Sequence, residues 1–205
     1  MELGMKKTFK IIVAVFSVLV LVFNVVSFAV DCADVRRDVL RLHVVANSDS
    51  ETDQRLKLMV RDAVLEKGGE VFDGTVTADE AERVITPRID ELKAVAEAVL
   101  RENGCDNKVE ITVGEEYFAT RCYDNFTMPA GVYTAVRVNI GSAEGQNWWC
   151  VMFPPLCLPA ASADADAFFT DDEMKIISSS PQYEPRFKIV EIYESIKNKI
   201  SGALR

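Results

Sequence analysis

RLHVVANSDSETDQRLKLMVRDAVLEKGG, residues 41–69, decides the fold because its hydrophobic period changes partway along. Residues 41–46 alternate polar and apolar side chains well enough to predict a short β-strand. The polar run that follows supplies turn and helix-start chemistry, with Ser50 as a candidate N-cap and Asp53 three residues on, as in a capping box. Apolar residues then recur on one helical face until Gly68-Gly69, which is predicted to stop the helix. A strand therefore passes directly into a helix.

Downstream of this segment the period changes back from helix to strand. Thr86 as N-cap and Pro87 at the first helical position predict a second helix that ends at Asn103-Gly104, whereas Thr77 could open only a short turn. Residues 109–113, 135–140 and 147–153 read as strands, and the short connections between them predict an antiparallel arrangement. These elements predict one α+β domain, a small antiparallel sheet packed by helices.

The strand at residues 147–153, NWWCVMF, carries apolar side chains on both of its faces. Trp148, Cys150 and Met152 point one way, and the residues between them point the other. One face should meet the helices. The other needs a cover, which a loop, the C-terminal segment or a partner could supply.

The C-terminal part of the chain is less regular. Residues 159–184 are acidic and rich in small residues, which favours a linker or a long loop. Residues 185–205 then predict an amphipathic helix docked on the core, because Ile189, Tyr193, Ile196 and Ile200 recur at helical spacing. The predicted organisation is thus a segment 1–30, a core domain 31–158, a linker 159–184 and this helix.

The N-terminus determines the compartment. Three lysines precede an apolar run of twenty residues, Ile11 to Val30, which is long enough for a membrane anchor or a signal peptide. Small residues before a cut after Ala29 favour cleavage over anchoring. Either alternative places the remaining residues outside the cytoplasm, where Cys32 is expected to be an unpaired surface thiol near the cut.

Four further cysteines can pair in an extracytoplasmic compartment, and four cysteines allow three connectivities. We favour Cys150 with Cys157, because the intervening Pro154-Pro155 can reverse the chain, and Cys105 with Cys122. Both bonds would be structural.

Composition excludes several classes of function. The formal net charge of −9 makes a poor surface for nucleic acid or anionic lipid. A single histidine rules out any zinc site that needs two imidazoles. Asp49, Glu51 and Asp53 have the opening spacing of a calcium loop, but Gln54 and Val60 stand where that loop needs glycine and a carboxylate. No metal or cofactor is therefore expected.

Two local features remain as candidate sites. His43 is the only possible imidazole base, and with a carboxylate such as Asp49 it would suit an extracytoplasmic hydrolase, although a structural or contact role is favoured. The pair Trp148-Trp149 is more often core than a ligand platform, yet it is the best candidate for a binding surface.

Two blocks of the sequence are unusual enough to identify a resemblance. They are residues 41–65, which include Leu-His-Val-Val-Ala-Asn-Ser-Asp, and residues 129–157, which include Asn-Trp-Trp-Cys and Phe-Pro-Pro-Leu-Cys. The chain resembles the stage II sporulation protein R family of endospore-forming bacteria. Ala143 stands where that family usually has glycine, and the Cys105–Cys122 pair looks like an addition.

The resemblance implies an exported signalling protein rather than an enzyme. A family member is made in the forespore and acts in the space between the two membranes of the sporulating cell. There it activates a membrane-embedded aspartic protease, which processes pro-sigma-E in the mother cell. Candidate contacts with the protease's extracytoplasmic face are His43, Asn47, Ser48, Asp49, Asp53, Trp148, Trp149, Phe153, Pro154 and Pro155. The alternatives are the hydrolase above and a membrane-anchored module that bridges the septal membranes.

Overall fold

The computed structural model describes residues 2–75, 77–123, 126–156, 168–178 and 185–203. The fold is α+β, as predicted. The helices are α1 Glu2–Arg37, α2 Glu51–Val71, α3 Ala78–Ile85, α4 Ile89–Glu102, α5 Asp171–Ile177 and α6 Pro185–Ala203. The strands are β1 Leu40–Val45, β2 Val109–Phe118, β3 Arg121–Cys122, β4 Thr127–Met128, β5 Gly131–Ile140 and β6 Asn147–Phe153.

Helices α2 to α4 cover one face of the sheet and enclose the main core. The Ser50 side chain caps α2 by accepting a hydrogen bond from the Asp53 amide, as the sequence predicts. Helix α2 does not stop at Gly68-Gly69 but continues to Val71. The Met152 methyl group packs directly against Gly68, where a Cβ would require that flexible side chain to shift.

Helix α3 is longer than the short turn that the sequence predicts at Thr77. Thr77 opens a two-turn helix rather than a short turn, and its hydroxyl accepts a hydrogen bond from the Glu80 amide. Thr86 adopts helical backbone angles, so it does not cap the next helix, and a 3-10 turn over Thr86–Arg88 leads into α4. The second predicted helix is thus the 3-10 turn and α4, and α3 is an additional helix directly before it.

The main sheet is mixed, which corrects the antiparallel expectation. Its strand order is β2-β5-β1-β6. β5 pairs antiparallel with β2, and β6 pairs antiparallel with β1, but β1 and β5 run parallel, with Leu42 opposite Val136. The short connections predict a meander, whereas β5 reaches its place beside β1 only after a long crossover through three helices and β2. β6 then pairs with the other side of β1.

The opposite face of the sheet is partly covered by a second core. Helices α1, α5 and α6 contribute to it, and its buried apolar residues are Phe28, Cys32, Val35, Val39, Phe118, Met128, Tyr133, Ala135, Val151, Leu156, Phe169, Ile176, Ile177, Phe187 and Val190. This cluster covers the second apolar face of β6 through Val151. The second apolar face of β6, which is predicted to need a cover, is therefore covered by helices that precede and follow the sheet in sequence.

Two expectations about segments fail at this second core. Part of the predicted linker is folded, because α5 starts with a full capping box between Thr170 and Glu173 and buries Ile176 and Ile177. Residues 159–167 and 179–184 lie outside the described part. Cys32 is expected at the surface but is fully buried in the cluster.

Helix α6 forms where it is predicted but presents the opposite face to the core. Phe187 and Val190 are buried, and Phe187 meets Phe28 edge-on with ring centroids 5.1 Å apart. Glu194 forms an ion pair with Arg36 at 3.1 Å between Oε1 and Nη2. The stripe of isoleucines and tyrosine expected to dock instead faces solvent.

Helix α1 joins the apolar N-terminal run to the domain without a break. The helical segment Phe9–Arg37 is long and apolar enough to cross a membrane. Both a membrane anchor and a signal sequence have this length and composition. Ala29, the predicted cleavage position, lies inside this helix, and the preceding Phe28 is buried. The last turns of α1 therefore belong to the domain.

The cysteines are arranged differently from one of the two predicted pairs. Cys105 and Cys122 are both free, because β2 extends for ten residues between them and separates them by roughly 30 Å. Cys150 is disulfide-bonded. Cys157 lies outside the described residues, so its pairing with Cys150 stays a prediction.

Arg41 is a buried cation at the middle of the sheet. Its side chain is fully buried, with the guanidinium 4.5 Å from the ring centroid of Phe118 and 5.0 Å from that of Tyr133. Its Nε donates to the Cys150 carbonyl, and its Nη2 donates to the Tyr123 hydroxyl. Aromatic faces thus offset part of the cost of burying this charge, and Arg41 marks where the second core ends along β1.

Candidate functional site

Beyond Arg41 the second face of the sheet carries polar side chains around His43. Nδ1 of His43 lies 2.7 Å from Oε1 of Glu116 on β2, and Nε2 lies 2.8 Å from Oδ1 of Asn147 on β6. Nη1 of Arg137 on β5 donates to the same Glu116 oxygen at 2.7 Å. Because alternate residues of four adjacent strands point the same way, the sheet assembles one polar network from all four strands. We call His43, Glu116, Arg137 and Asn147 the polar network.

The polar network stabilises the charged form of its carboxylate. Burial alone would raise the pKa of Glu116, but the hydrogen bond and charge of His43, together with Arg137, outweigh burial and lower that pKa. Both imidazole nitrogens of His43 face oxygen atoms, so contacts on two sides fix the orientation of the ring. The Glu116 Oε2 atom is buried without a hydrogen-bond partner among the described residues.

The two tryptophans of β6 lie on opposite faces of the sheet. Trp149 stacks on His43, with ring centroids 5.5 Å apart and planes 18° apart, and the Arg121 guanidinium lies 3.8 Å from the Trp149 ring centroid. Trp148 lies under Arg61 of α2 at 4.4 Å and is 36% exposed. Each indole is therefore held against a cation, and Trp148 remains accessible at the edge strand β6.

The strand-to-helix junction beside β6 is ordered by its own polar side chains. Asn47 and Ser48 both donate to Oδ2 of Asp53, and these two hydrogen bonds lower the pKa of that carboxyl. The Gln146 amide donates to Oδ1 of Asp49 at 2.7 Å, and Ser142 donates to the Asn47 carbonyl. These contacts fasten the β5–β6 connection to the junction, so both loops present one surface at this end of the sheet.

The remaining candidate contacts are less accessible. Phe153 is 2% exposed and packs edge-on against Phe72 and Phe168, which makes it a core residue that supports β6 rather than a contact. Pro154 is buried as well, and Pro155 is half-buried. The proposed contact face is thereby reduced to the Trp148 edge and the junction at residues 47–53.

The geometry does not favour the hydrolase alternative. His43 is 4% exposed and bonds Glu116 and Asn147, whereas Asp49 bonds the loop amide of Gln146. The Asp49 carboxylate, which would have to orient the imidazole, instead accepts a hydrogen bond from the Gln146 backbone. Among the described residues, no group of three His, Cys, Asp or Glu side chains is placed to hold a metal ion.

Sequence patterns located His43, Trp149 and the junction but missed Glu116, Arg137 and Arg121. The sequence signal for Glu116 was weak, because β2 was expected to end at Val113 and actually continues to Phe118. Glu116 reaches His43 across the intervening strand β5, and only the parallel β1–β5 register brings the two together.

Comparison with known proteins identifies the family of the chain. A family model described as stage II sporulation protein R matches residues 36–163, more than half of the chain. The chain belongs to the stage II sporulation protein R family. The match includes the junction and all four strands of the main sheet, and so it covers the whole candidate site.

One curated member of the stage II sporulation protein R family is similar to this chain over more than half of its length. The stage II sporulation protein R of Bacillus subtilis (strain 168) is 39% identical over 118 residues, which are 58% of this chain. The matched region spans about half of that relative, 53% of its length. No solved structure matches the chain. Family membership supports a role in sporulation.

Proposed function

We propose that the protein is an exported sporulation messenger that activates a membrane-embedded aspartic protease, so that pro-sigma-E is processed in the mother cell. Membership of the stage II sporulation protein R family supports the sporulation role. The apolar helix α1 suits export to the space between the forespore and mother-cell membranes. In this proposal the protein acts by binding, and it carries out no bond-making step itself.

The observation that carries the binding role is the exposed Trp148 edge of the sheet. β6 is an edge strand, and Trp148 on it is a large aromatic residue that is 36% exposed beside the cation of Arg61. Aromatic and arginine side chains contribute most of the affinity in many protein interfaces. The junction at residues 47–53 lies beside this edge and offers hydrogen-bonding groups for a polar rim.

A reconstituted processing assay tests this function. The full chain, the membrane-embedded aspartic protease of the same bacterium and pro-sigma-E are produced together in a bacterium that does not sporulate. Immunoblotting then scores removal of the pro-sequence. We expect processing only when all three proteins are present.

Substitutions in the same assay test the docking edge. Trp148→Ala is expected to lower processing at least about tenfold, which corresponds to the loss of one aromatic anchor. Val132→Ala is the matched control, since Val132 is 37% exposed on another part of the sheet. The amount of exported protein is measured for each variant, and equal processing by Trp148→Ala and Val132→Ala at equal export would refute the proposed edge.

A further inference from the structure

The solvent-facing side of α6 carries an apolar stripe that none of the described helices and strands covers. Ile189, Ile192, Tyr193, Ile196 and Ile200 are each between 47% and 60% exposed. They lie opposite Phe187, Val190 and Glu194, which pack on the second core. We call these five residues the α6 stripe. A contiguous row of large apolar side chains on a solvent-facing helix is typical of an interaction surface.

The spacing of the α6 stripe is that of a helix–helix seam. Ile189, Tyr193, Ile196 and Ile200 follow one another by four, three and four residues, the alternation of a and d positions in a heptad. The remaining member, Ile192, lies beside this seam. From Ile189 to Ile200 the seam extends about 16 Å along the helix axis, enough for two heptads of a second helix.

The charges that flank the α6 stripe are positive. Lys197 and Lys199 lie on opposite sides of Ile196, at the positions that border a helix–helix seam, and both are exposed. The nearby Glu194 is 5% exposed and is turned towards Arg36 in the second core, although Lys197 also approaches it at 3.7 Å. In a chain with net charge −9, this helix face is locally basic. Acidic side chains on a partner helix would complement it.

The orientation of α6 argues against the bilayer as the occupant. Phe187 contacts Phe28, and Glu194, seven residues on, contacts Arg36, eight residues on from Phe28. Helices α1 and α6 therefore run side by side in the same direction, away from the exposed apolar part of α1. A membrane crossed by α1 cannot lie along the length of the α6 stripe. A second copy of the chain would bring its own lysines to the same seam, which repels.

We propose that the α6 stripe binds an amphipathic α-helix of another protein whose apolar seam is flanked by acidic residues. This surface is distinct from the Trp148 edge, and the inference does not depend on protease activation. Binding is governed by two separable features, the apolar seam centred on Ile196 and the lysines at its borders.

Direct binding to designed peptides tests the proposal. The full chain is reconstituted in phosphatidylcholine nanodiscs, and fluorescence anisotropy measures binding of two helical peptides of about three heptads with leucine at a and d. One peptide carries glutamate at e and g, and the other carries lysine there. We expect the glutamate peptide to bind about tenfold more tightly, as expected when two attractive charge contacts replace two repulsive ones.

Variants separate the two features. Ile196→Glu is expected to abolish binding, whereas Asn198→Glu, the matched control off the stripe, should leave it within about twofold, since one exposed charge has a small effect. The double change Lys197→Gln and Lys199→Gln should retain binding but remove the preference between the peptides. Circular dichroism checks that each variant keeps its helix content.

Four results would overturn the proposal. They are no binding of the glutamate peptide, equal binding of both peptides by the unchanged chain, and self-association of the chain that Ile196→Glu abolishes. The fourth is hydrogen-exchange protection of α6 that appears when phosphatidylglycerol is added to the nanodiscs, which would make the lipid surface the occupant. Because no readout involves sigma-E, failure here leaves the proposed function standing.

Discussion

Replacing Gly145 with alanine should destabilise the protein by about 2–4 kcal/mol, because a Cβ at this position would overlap backbone atoms. The added carbon would lie 2.3 Å from the Ser48 carbonyl oxygen and 2.6 Å from its carbon. The Gly145 amide also donates to the Ala46 carbonyl at 2.9 Å, and any shift that relieves the overlap would strain this bond. Overpacking accounts for about 1–3 kcal/mol and a weakened hydrogen bond for about 1 kcal/mol more.

Thermal unfolding of the full chain measures this effect. A loss of this size should lower the melting temperature by about 5–15 °C in a chain of this length. Gly114→Ala is the matched control, since a Cβ at Gly114 meets nothing within 4 Å, and its melting temperature should change little. Hydrogen exchange at residues 46–49 should accelerate only in Gly145→Ala. If the two variants melt together, the β5–β6 connection does not pack against the junction as described, and the surface beside Trp148 loses its support.

Three further substitutions test other parts of the fold. Ala143 has a positive φ of 53°, so Ala143→Gly should raise the free energy of unfolding by about 1 kcal/mol in a denaturant titration, and an unchanged midpoint would contradict this. Burial, as the main cause, and a hydrogen bond to Glu173, as the second, raise the pKa of Asp38 to about 6. The folded state therefore keeps a proton that the unfolded state loses between about pH 4 and about pH 6. The free energy of unfolding should fall as the pH rises through this range. Asp38→Asn should remove that part of the pH dependence, which amounts to less than about 1 kcal/mol because the side chain is only partly buried and solvent screens it, and an identical pH profile would count against it. Glu194→Gln leaves Arg36 without its buried carboxylate and should cost about 3 kcal/mol, with limited proteolysis detecting release of α6; resistance equal to the unchanged chain would show that this ion pair does not hold the helix.

Local patterns predicted those elements whose chemistry is complete within a few residues. The Ser50 cap of α2, the period-2 alternation of β2 and β5, and the helical spacing at the C-terminus each depend on neighbours in sequence. All four elements, α2, β2, β5 and α6, form where they are predicted. The length of a strand is harder to predict than its position. β2 continues past Val113 to Phe118 through residues without clear alternation.

Features that depend on distant residues could not be predicted in this way. Helix α6 is apolar on two opposite sides, so its periodicity cannot say whether Phe187 or Ile196 faces the core. The parallel pairing of β1 with β5 joins residues more than ninety positions apart, and the contact of His43 with Glu116 follows from it. Cys105 and Cys122 are close in sequence, yet the extended β2 between them keeps them apart.

The meeting of α1 and α6 places the first and last parts of the chain in one cluster, with Arg36 and Glu194 separated by 158 positions. During synthesis, the α1 end of this cluster emerges long before its partner helix exists. Phe28 and Val35 therefore stay uncovered until residues 185–203, which form α6, have been synthesised. A product terminated before α6 would leave this apolar surface exposed and open to quality-control proteases, so such products should not accumulate.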